Sequence, residues 1–214
     1  MSVLEISRVG ACAVLTLNRP AARNALDMDL RNALAKALPE IRDDATVRAV
    51  VLTGAGGHFC AGGDIRAIAA GQGNADVFEG RNRILSMQRW FDGLVDLEKP
   101  VIAAVDGVAF GAGLSLALAA DFVLASPRAT FCAVFARLGY VPDLGGMYLL
   151  PRAVGLARAK ALWHFRPGWW ARPRRWRWVS RTSWSTTGRC SMPPSSWPGA
   201  SSRRRRARWA SSSR

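Results

Sequence analysis

Residues 166–214 contain no Leu, Ile, Phe or Tyr and no acidic residue, which confines any conventional core of this 214-residue chain to its first 165 positions. Folding is driven chiefly by burial of apolar surface, and a segment without aliphatic periodicity has no regular face to bury. The same segment carries 13 Arg, seven Trp, eleven Ser and five Pro, so it is expected to be irregular rather than a second domain. Charge divides at the same point. The formal net charge is +15, yet the first 165 residues hold 17 basic and 15 acidic side chains. The chain-wide average therefore describes neither the nearly neutral core region (1–165) nor the basic tail (166–214).

Two readings of the tail remain. One is a Trp/Arg arm that clamps nucleic acid through phosphate contacts and base stacking, which would make the chain a non-enzymatic binder. The other is translation out of frame from near Phe165. Trp is encoded only by TGG, so in the shifted frame every step into a Trp reads Leu, Met or Val. Trp178-Val179 must read Gly, and Met192-Pro193 must read Ala. With G/C-rich codons, Arg174–Pro194 recodes to an Ala-, Leu- and Asp-rich string with helical apolar spacing, which favours the second reading. No specific nucleic-acid partner is assigned.

No apolar run approaches the ~20 residues of a membrane span, so no membrane association is expected. The N-terminal Met-Ser-Val-Leu-Glu-Ile lacks the basic and apolar regions of a secretory leader. Cys12, Cys60, Cys132 and Cys190 are widely spaced, and the chain has two histidines, His58 and His164. Neither a disulfide framework nor a zinc site is expected, and a reducing cytoplasm is the expected compartment.

Within the first 165 residues short apolar runs alternate with amphipathic stretches. Val3–Ser7 and Cys12–Leu17 read as strands joined through Arg8-Val9-Gly10. Leu26, Leu30, Leu34, Leu38 and Ile41 mark a helix with Pro39 near its end. Val47–Thr53 and Val101–Val105 read as buried strands, with a helix from about Val77 to Leu97 between them. Leu114–Ala120 reads as a helix, Phe122–Ala125 as a strand, and Met147–Phe165 as a helix broken at Pro151. This alternation predicts an α/β architecture with a mostly parallel sheet.

The common phosphate-binding motifs fail. No G-x-x-x-x-G-K-[ST] occurs, Gly54-Ala-Gly56 meets Phe59 where a dinucleotide fingerprint needs Gly, and Gly111-Ala-Gly113 meets Leu116. Gly113-Leu-Ser115-Leu-Ala117 falls one glycine short of a nucleophile elbow, and Ser115 lies too far beyond the preceding strand, so it is expected to pack. Two loops are more informative. His58–Ile65 and Asp106–Ser115 each link a buried strand to a helix through small residues. Two such loops side by side could hold one developing oxyanion between backbone N–H donors, each worth about 3 kcal/mol to a transition state. Alternatively, their glycines simply permit tight turns. A third segment, Phe135–Gly146, contains Pro142-Asp143-Leu144-Gly145-Gly146, where an Asp commonly caps a following helix.

These three segments in this order resemble the enoyl-CoA hydratase/isomerase, or crotonase, family. The resemblance runs from about Val3 to Phe165 and is carried by Asn18-Arg-Pro, Asn24-Ala-Leu, Phe59-Cys-Ala-Gly-Gly-Asp, Asp106-Gly-x-x-x-Gly-Ala-Gly, Ala120-Asp121 and Gly139-x-x-Pro-Asp-x-Gly-Gly. It implies a spiral of ββα units, assembly as trimers or paired trimers, and an acyl-CoA thioester substrate with no metal or separate cofactor. It further implies oxyanion donors at the Gly63 and Ala112 amides, and substrate contacts along Ala25, Ala61, Gly62, Asp64, Ile65 and Arg66. Family hydratases use two glutamates, and the matching positions here are Ser115 and Phe135, neither able to transfer a proton. Asp143 coincides with the Asp of family isomerases, including those of phenylacetate breakdown. The resemblance thus implies an isomerase with an Asp143 proton shuttle. A hydratase, hydrolase or dehalogenase, or an inactive homologue lacking its natural C-terminus, are the alternatives.

Overall fold

The computed structural model describes residues 2–66 and 77–164. The tail, with the frame shift and irregular structure expected of it, lies outside these described residues, as does Phe165.

Strand β1 (Leu4–Val9) turns directly into β2 (Cys12–Leu17), with Val9 opposite Cys12. The connection is therefore Gly10-Ala11, tighter than the three-residue link expected from sequence. Gly10 adopts φ +58, which shortens the loop at no steric cost. Helix α1 (Met28–Asp43) begins at Asp27, whose carboxylate accepts the Leu30 N–H, and buries Leu30, Leu34, Ala37, Leu38 and Ile41. The helix runs through Pro39 to Asp43, with the proline near its end as expected, and it starts at Met28, so Leu26 precedes it.

Strand β3 (Ala49–Gly54) follows, then α2 (Val77–Val95), β4 (Val101–Val105), β5 (Val108–Phe110), α3 (Ala112–Ala119), β6 (Phe122–Ala125) and β7 (Thr130–Cys132). Helices α4 (Gly146–Val154) and α5 (Leu156–His164) complete the described chain. They separate at Gly155, φ +83, and not at Pro151, which α4 accommodates. A residue in the positive-φ region ends a helix more cleanly than one missing hydrogen bond.

The large sheet has the order β1-β2-β3-β4-β6, antiparallel at β1–β2 and parallel thereafter. A second, smaller layer holds the parallel pair β5–β7 and the single bridges Cys60–Ala109 and Leu26–Gly63. Successive turns of the chain thus place one extended segment in the large sheet and the next in the small layer, then return through a helix. That is a spiral of strand–strand–helix units. The small layer escaped the sequence reading because three-residue strands carry no usable alternation.

The main core joins the buried faces of β2, β3, β4 and α1 to Trp90, Phe91 and Leu94 of α2. A satellite cluster of Leu114, Ala133, Phe135, Leu150 and Ala159 lies between α3, α4 and α5. No described helix is long and apolar enough to cross a membrane.

Candidate functional site

The Phe59–Asp64 loop is built by burial and hydrogen bonding together. Phe59 and Cys60 are fully buried, and Cys60 bridges to β5 through its N–H to Val108 and its carbonyl to the Phe110 N–H. Burial pushes the Cys60 thiol up to about 12, against the Gly62 N–H and the Arg31 charge. Cys60 is consequently a neutral packing group, not a nucleophile.

On the loop's other side, the Leu26 N–H donates to the Gly62 carbonyl at 2.7 Å and the Leu26 carbonyl accepts from Asp64 at 3.2 Å. In a parallel bridge this pattern turns the N–H of the intervening residue, Gly63, away from Leu26. Among the described residues the Gly63 N–H has no hydrogen-bond partner. Nor does the N–H of Ala112, the first residue of α3, where helical amides lack an acceptor one turn back.

The two loops touch. Gly62 has φ +99, and a Cβ there would lie 2.7 Å from the Phe110 carbonyl oxygen and 3.4 Å from the Ala112 nitrogen. A Cβ on Gly113 would lie 2.2 Å from the Cys60 carbonyl oxygen. Neither glycine tolerates a side chain without moving backbone. The glycines therefore do permit close packing, and the surface they create carries two unpaired amides. Asp106 braces the second loop's base, accepting from Ser126, the Gly107 N–H and Arg128. These bonds hold its carboxyl below the ordinary range, Ser126 contributing most.

The remaining substrate-contact candidates gather on the first loop. Ala25 is buried and Ala61 donates to the Arg23 carbonyl. The Asp64 carboxylate accepts from the Arg66 N–H, while the Ile65 and Arg66 side chains are exposed.

Asp143 stands apart, and its side chain does not cap α4. That helix starts at Gly146 with Gly145 as its N-cap, φ +69 and no side-chain capping bond. The Asp143 backbone carbonyl closes the turn instead, accepting from the Gly146 N–H at 2.8 Å. It also accepts from the Ser115 hydroxyl at 3.1 Å. Ser115, fully buried in α3, is thus both a packing residue and the tie between α3 and the Asp143 turn. Phe135 is buried beside the same turn, its ring within 3.9 Å of where Gly111 and Gly146 would carry side chains. Asp143 keeps solvent contact, yet surrounding protein desolvates its carboxyl and raises its pKa, with the Arg31 guanidinium pulling the other way.

Three residues to which the sequence reading assigned no role act here, although Arg19 and Asn24 belong to the quoted motifs. Asn24, fully buried at φ +58, donates to the Ala55 and His58 carbonyls and accepts the Arg19 N–H. Arg19 reaches Ala25, Asp27 and Asp64. Arg31, half-buried on α1, places its charge where it acts on both Cys60 and Asp143. The one available signal was Asn24, since Asn is the non-glycine residue that most readily accepts a left-handed backbone. Among the described residues no group of three His, Cys, Asp or Glu could hold a metal ion.

A family model described as enoyl-CoA hydratase/isomerase matches residues 8–166. The chain is 43% identical over 153 residues to 1,2-epoxyphenylacetyl-CoA isomerase of Escherichia coli K12, covering 69% of this chain and 56% of that protein. It is 44% identical over 154 residues to a probable enoyl-CoA hydratase of Rhodobacter capsulatus, covering 70% and 56%. The crystal structure of an enoyl-CoA hydratase/isomerase from Cupriavidus metallidurans CH34 superposes with a TM-score of 0.70 at 45% identity, covering 76% of this chain and 60% of that one. The chain thus spans a little over half the length of the curated relatives it matches. From the strand–strand–helix spiral through the glycine-lined contact of its two loops to the Pro142-Asp143 turn, it belongs to the enoyl-CoA hydratase/isomerase family.

Proposed function

We propose that this chain carries the catalytic core of an acyl-CoA isomerase. A thioester carbonyl lies between the Gly63 and Ala112 amides, and the Ala25, Ala61, Gly62, Asp64, Ile65 and Arg66 segment lines the path of the coenzyme A portion. Asp143 removes a proton beside the thioester, negative charge moves to the carbonyl oxygen, and the two amides hold it there. Asp143 then returns the proton at another carbon. The enzyme needs no cofactor in this scheme, because coenzyme A arrives with the substrate.

One observation carries the choice of isomerisation over hydration. The positions at which family hydratases place glutamates hold Ser115 and Phe135, the first committed to the Asp143 carbonyl and the second buried. Syn-addition of water needs two acid/base groups around the water, and Asp143 is the one carboxylate left in the motif region Phe135–Gly146 among the described residues. Its raised pKa suits a group that must both take and give a proton. The relatives' names support the acyl-CoA class and divide between isomerase and hydratase. The epoxyphenylacetyl-CoA isomerase among them makes ring-epoxide or double-bond migration the first chemistry to assay. We place the enzyme in the cytoplasm as a trimer or pair of trimers in its complete form, and we read the tail beyond Phe165 as out of frame.

Asp143→Asn tests the assignment. Loss of a positioned acid/base group costs about 10²–10⁴-fold in turnover. Activity within threefold of the parent removes Asp143 from the mechanism. Water incorporated into product, with no isomer formed, selects hydration instead.

A further inference from the structure

The Gly63 amide points away from Leu26 only as long as the bridge behind it keeps its register, and that bridge is a single residue pairing. Three backbone bonds join the two segments: Ala61 N–H to the Arg23 carbonyl at 2.9 Å, Leu26 N–H to the Gly62 carbonyl at 2.7 Å and Asp64 N–H to the Leu26 carbonyl at 3.2 Å. The longest is the one that follows Gly63, and it is therefore the weakest backbone hold on that donor's register. The Arg19 side chain lies across the bridge. Its Nη1 donates to the Ala25 carbonyl at 2.5 Å, its Nε pairs with Asp27 at 3.0 Å, and its Nη2 pairs with Asp64 at 3.0 Å. Three edges of one rigid guanidinium thereby join residues on both sides of the bridge, just outside Leu26 and Gly63.

The partners are equally committed. One Asp27 oxygen takes Arg19 and the other caps α1 through Leu30; one Asp64 oxygen takes Arg19 and the other the Arg66 N–H. Arg19 itself is fixed by its own N–H to the buried Asn24. The side chains of Arg19, Asp27 and Asp64 are only about one-fifth exposed, at 21%, 19% and 16%, so water competes weakly for these bonds. A lysine, with a single ammonium on a flexible stem, could satisfy one of these acceptors well but not all three in fixed geometry.

We infer that Arg19 is a positioning residue of the thioester site, holding the Gly63 amide in register by clamping Ala25–Asp27 against Asp64. This rests on the reading that the Gly63 amide meets the thioester oxygen. Arg19 touches neither substrate nor reacting atoms in this role. Misplacing a catalytic group by about 1 Å costs on the order of 10²-fold, so the clamp is visible in turnover before it is visible in binding.

The test uses the full 214-residue chain and its Arg19→Gln, Asp64→Asn and double variants. Amide hydrogen exchange is followed at Gly62–Asp64 and, as an internal reference, along β3 and β4. Each single change is expected to speed exchange at Gly62–Asp64 by about tenfold or more while the two strands stay within about threefold. The double variant is expected to add little to Arg19→Gln, which already removes the Arg19–Asp64 bond. With an acyl-CoA substrate, Arg19→Gln is expected to lower kcat about 10- to 100-fold while KM stays within about threefold, and Arg19→Lys to recover only part of the loss.

Exchange that rises equally over β3 and β4, or effects that add fully in the double variant, overturns the clamp. If Asp143→Asn abolishes turnover while Arg19→Gln leaves kcat within threefold, the positioning role is wrong and the reaction reading stands. If neither substitution changes turnover, the reaction reading fails, and local, non-additive exchange then decides whether the clamp holds the loop.

Discussion

The two halves of the proposed site are supported in different ways. The amide loop, Phe59–Asp64, is gripped from every side: by Leu26 and Arg23 backbone, by the β5 bridge at Cys60, by Asn24 inside and by Arg19 across the top. The Asp143 turn is held through its backbone carbonyl, by Ser115 and by its own Gly146. Its surroundings are also unlike the loop's. Val141, Met147, Tyr148 and Leu156 in and after the turn are exposed, whereas Phe59, Cys60 and Ala25 beside the amides are buried. The contrast teaches that oxyanion donors built from backbone require a rigid scaffold at small radius. A proton-shuttling carboxylate requires freedom to face two carbons and an environment only partly dry. The first need is met within the described residues; the second is met at an apolar margin.

The largest expected effect falls on the rigid half. Ala112→Pro deletes one amide donor at the first helical position, where proline fits the backbone. Turnover should fall about 10²–10³-fold with α3 intact by circular dichroism. A loss below tenfold would remove the Ala112 donor from the mechanism. Next, Gly113→Ala forces a Cβ onto the Cys60 carbonyl and should cost about 1–3 kcal/mol of stability by denaturant unfolding, with loss of turnover. Asn24→Ala strands the Ala55 and His58 carbonyls and the Arg19 N–H, again at about 1–3 kcal/mol. Equal stability for either variant would mean that the loop is softer than its bonding suggests.

Smaller effects are expected at the margin. Burial disfavours the ionised form of Asp143, so its folded-state pKa lies above its unfolded one. Ionisation therefore penalises the fold once pH rises through that pKa, and the penalty vanishes below the ordinary carboxylate range, where both states are protonated. Asp143→Asn should accordingly raise Tm at pH 7, with the gain shrinking toward low pH, while parent turnover rises with pH through the same shifted value. A Tm gain that grows on acidification would reverse the sign. Smallest of all, Val141→Ser should leave stability within about 0.5 kcal/mol, because Val141 is 73% exposed.

The same division decides what was legible in the sequence. Val101–Val105 stands where its apolar run predicts it, since a strand buried on both faces announces itself by composition alone. Phe122–Ala125 is also a strand as predicted, although it ends the sheet order and Phe122 and Ala125 are exposed. The Asp143 turn was legible as a turn, but its local chemistry suggested a helix cap, and only the fold reveals Gly145 in that position. The α4–α5 break moved from Pro151 to Gly155 because a positive-φ residue ends the helix, whereas α4 accommodates the one N–H missing at Pro151. Arg19 was legible only as part of the Asn18-Arg-Pro motif, with no role attached. Its three partners are separated by up to 45 residues, and no local pattern encodes a contact of that range.

The central claim is that two backbone amides, at Gly63 and Ala112, share one thioester oxygen. It is tested most directly by a crystal structure of the frame-restored chain with an unreactive acyl-CoA analogue. The account predicts both nitrogens about 3 Å from that oxygen, with the Asp143 carboxylate facing the adjoining carbon. A thioester oxygen that meets only one of the two amides, or neither, would contradict it.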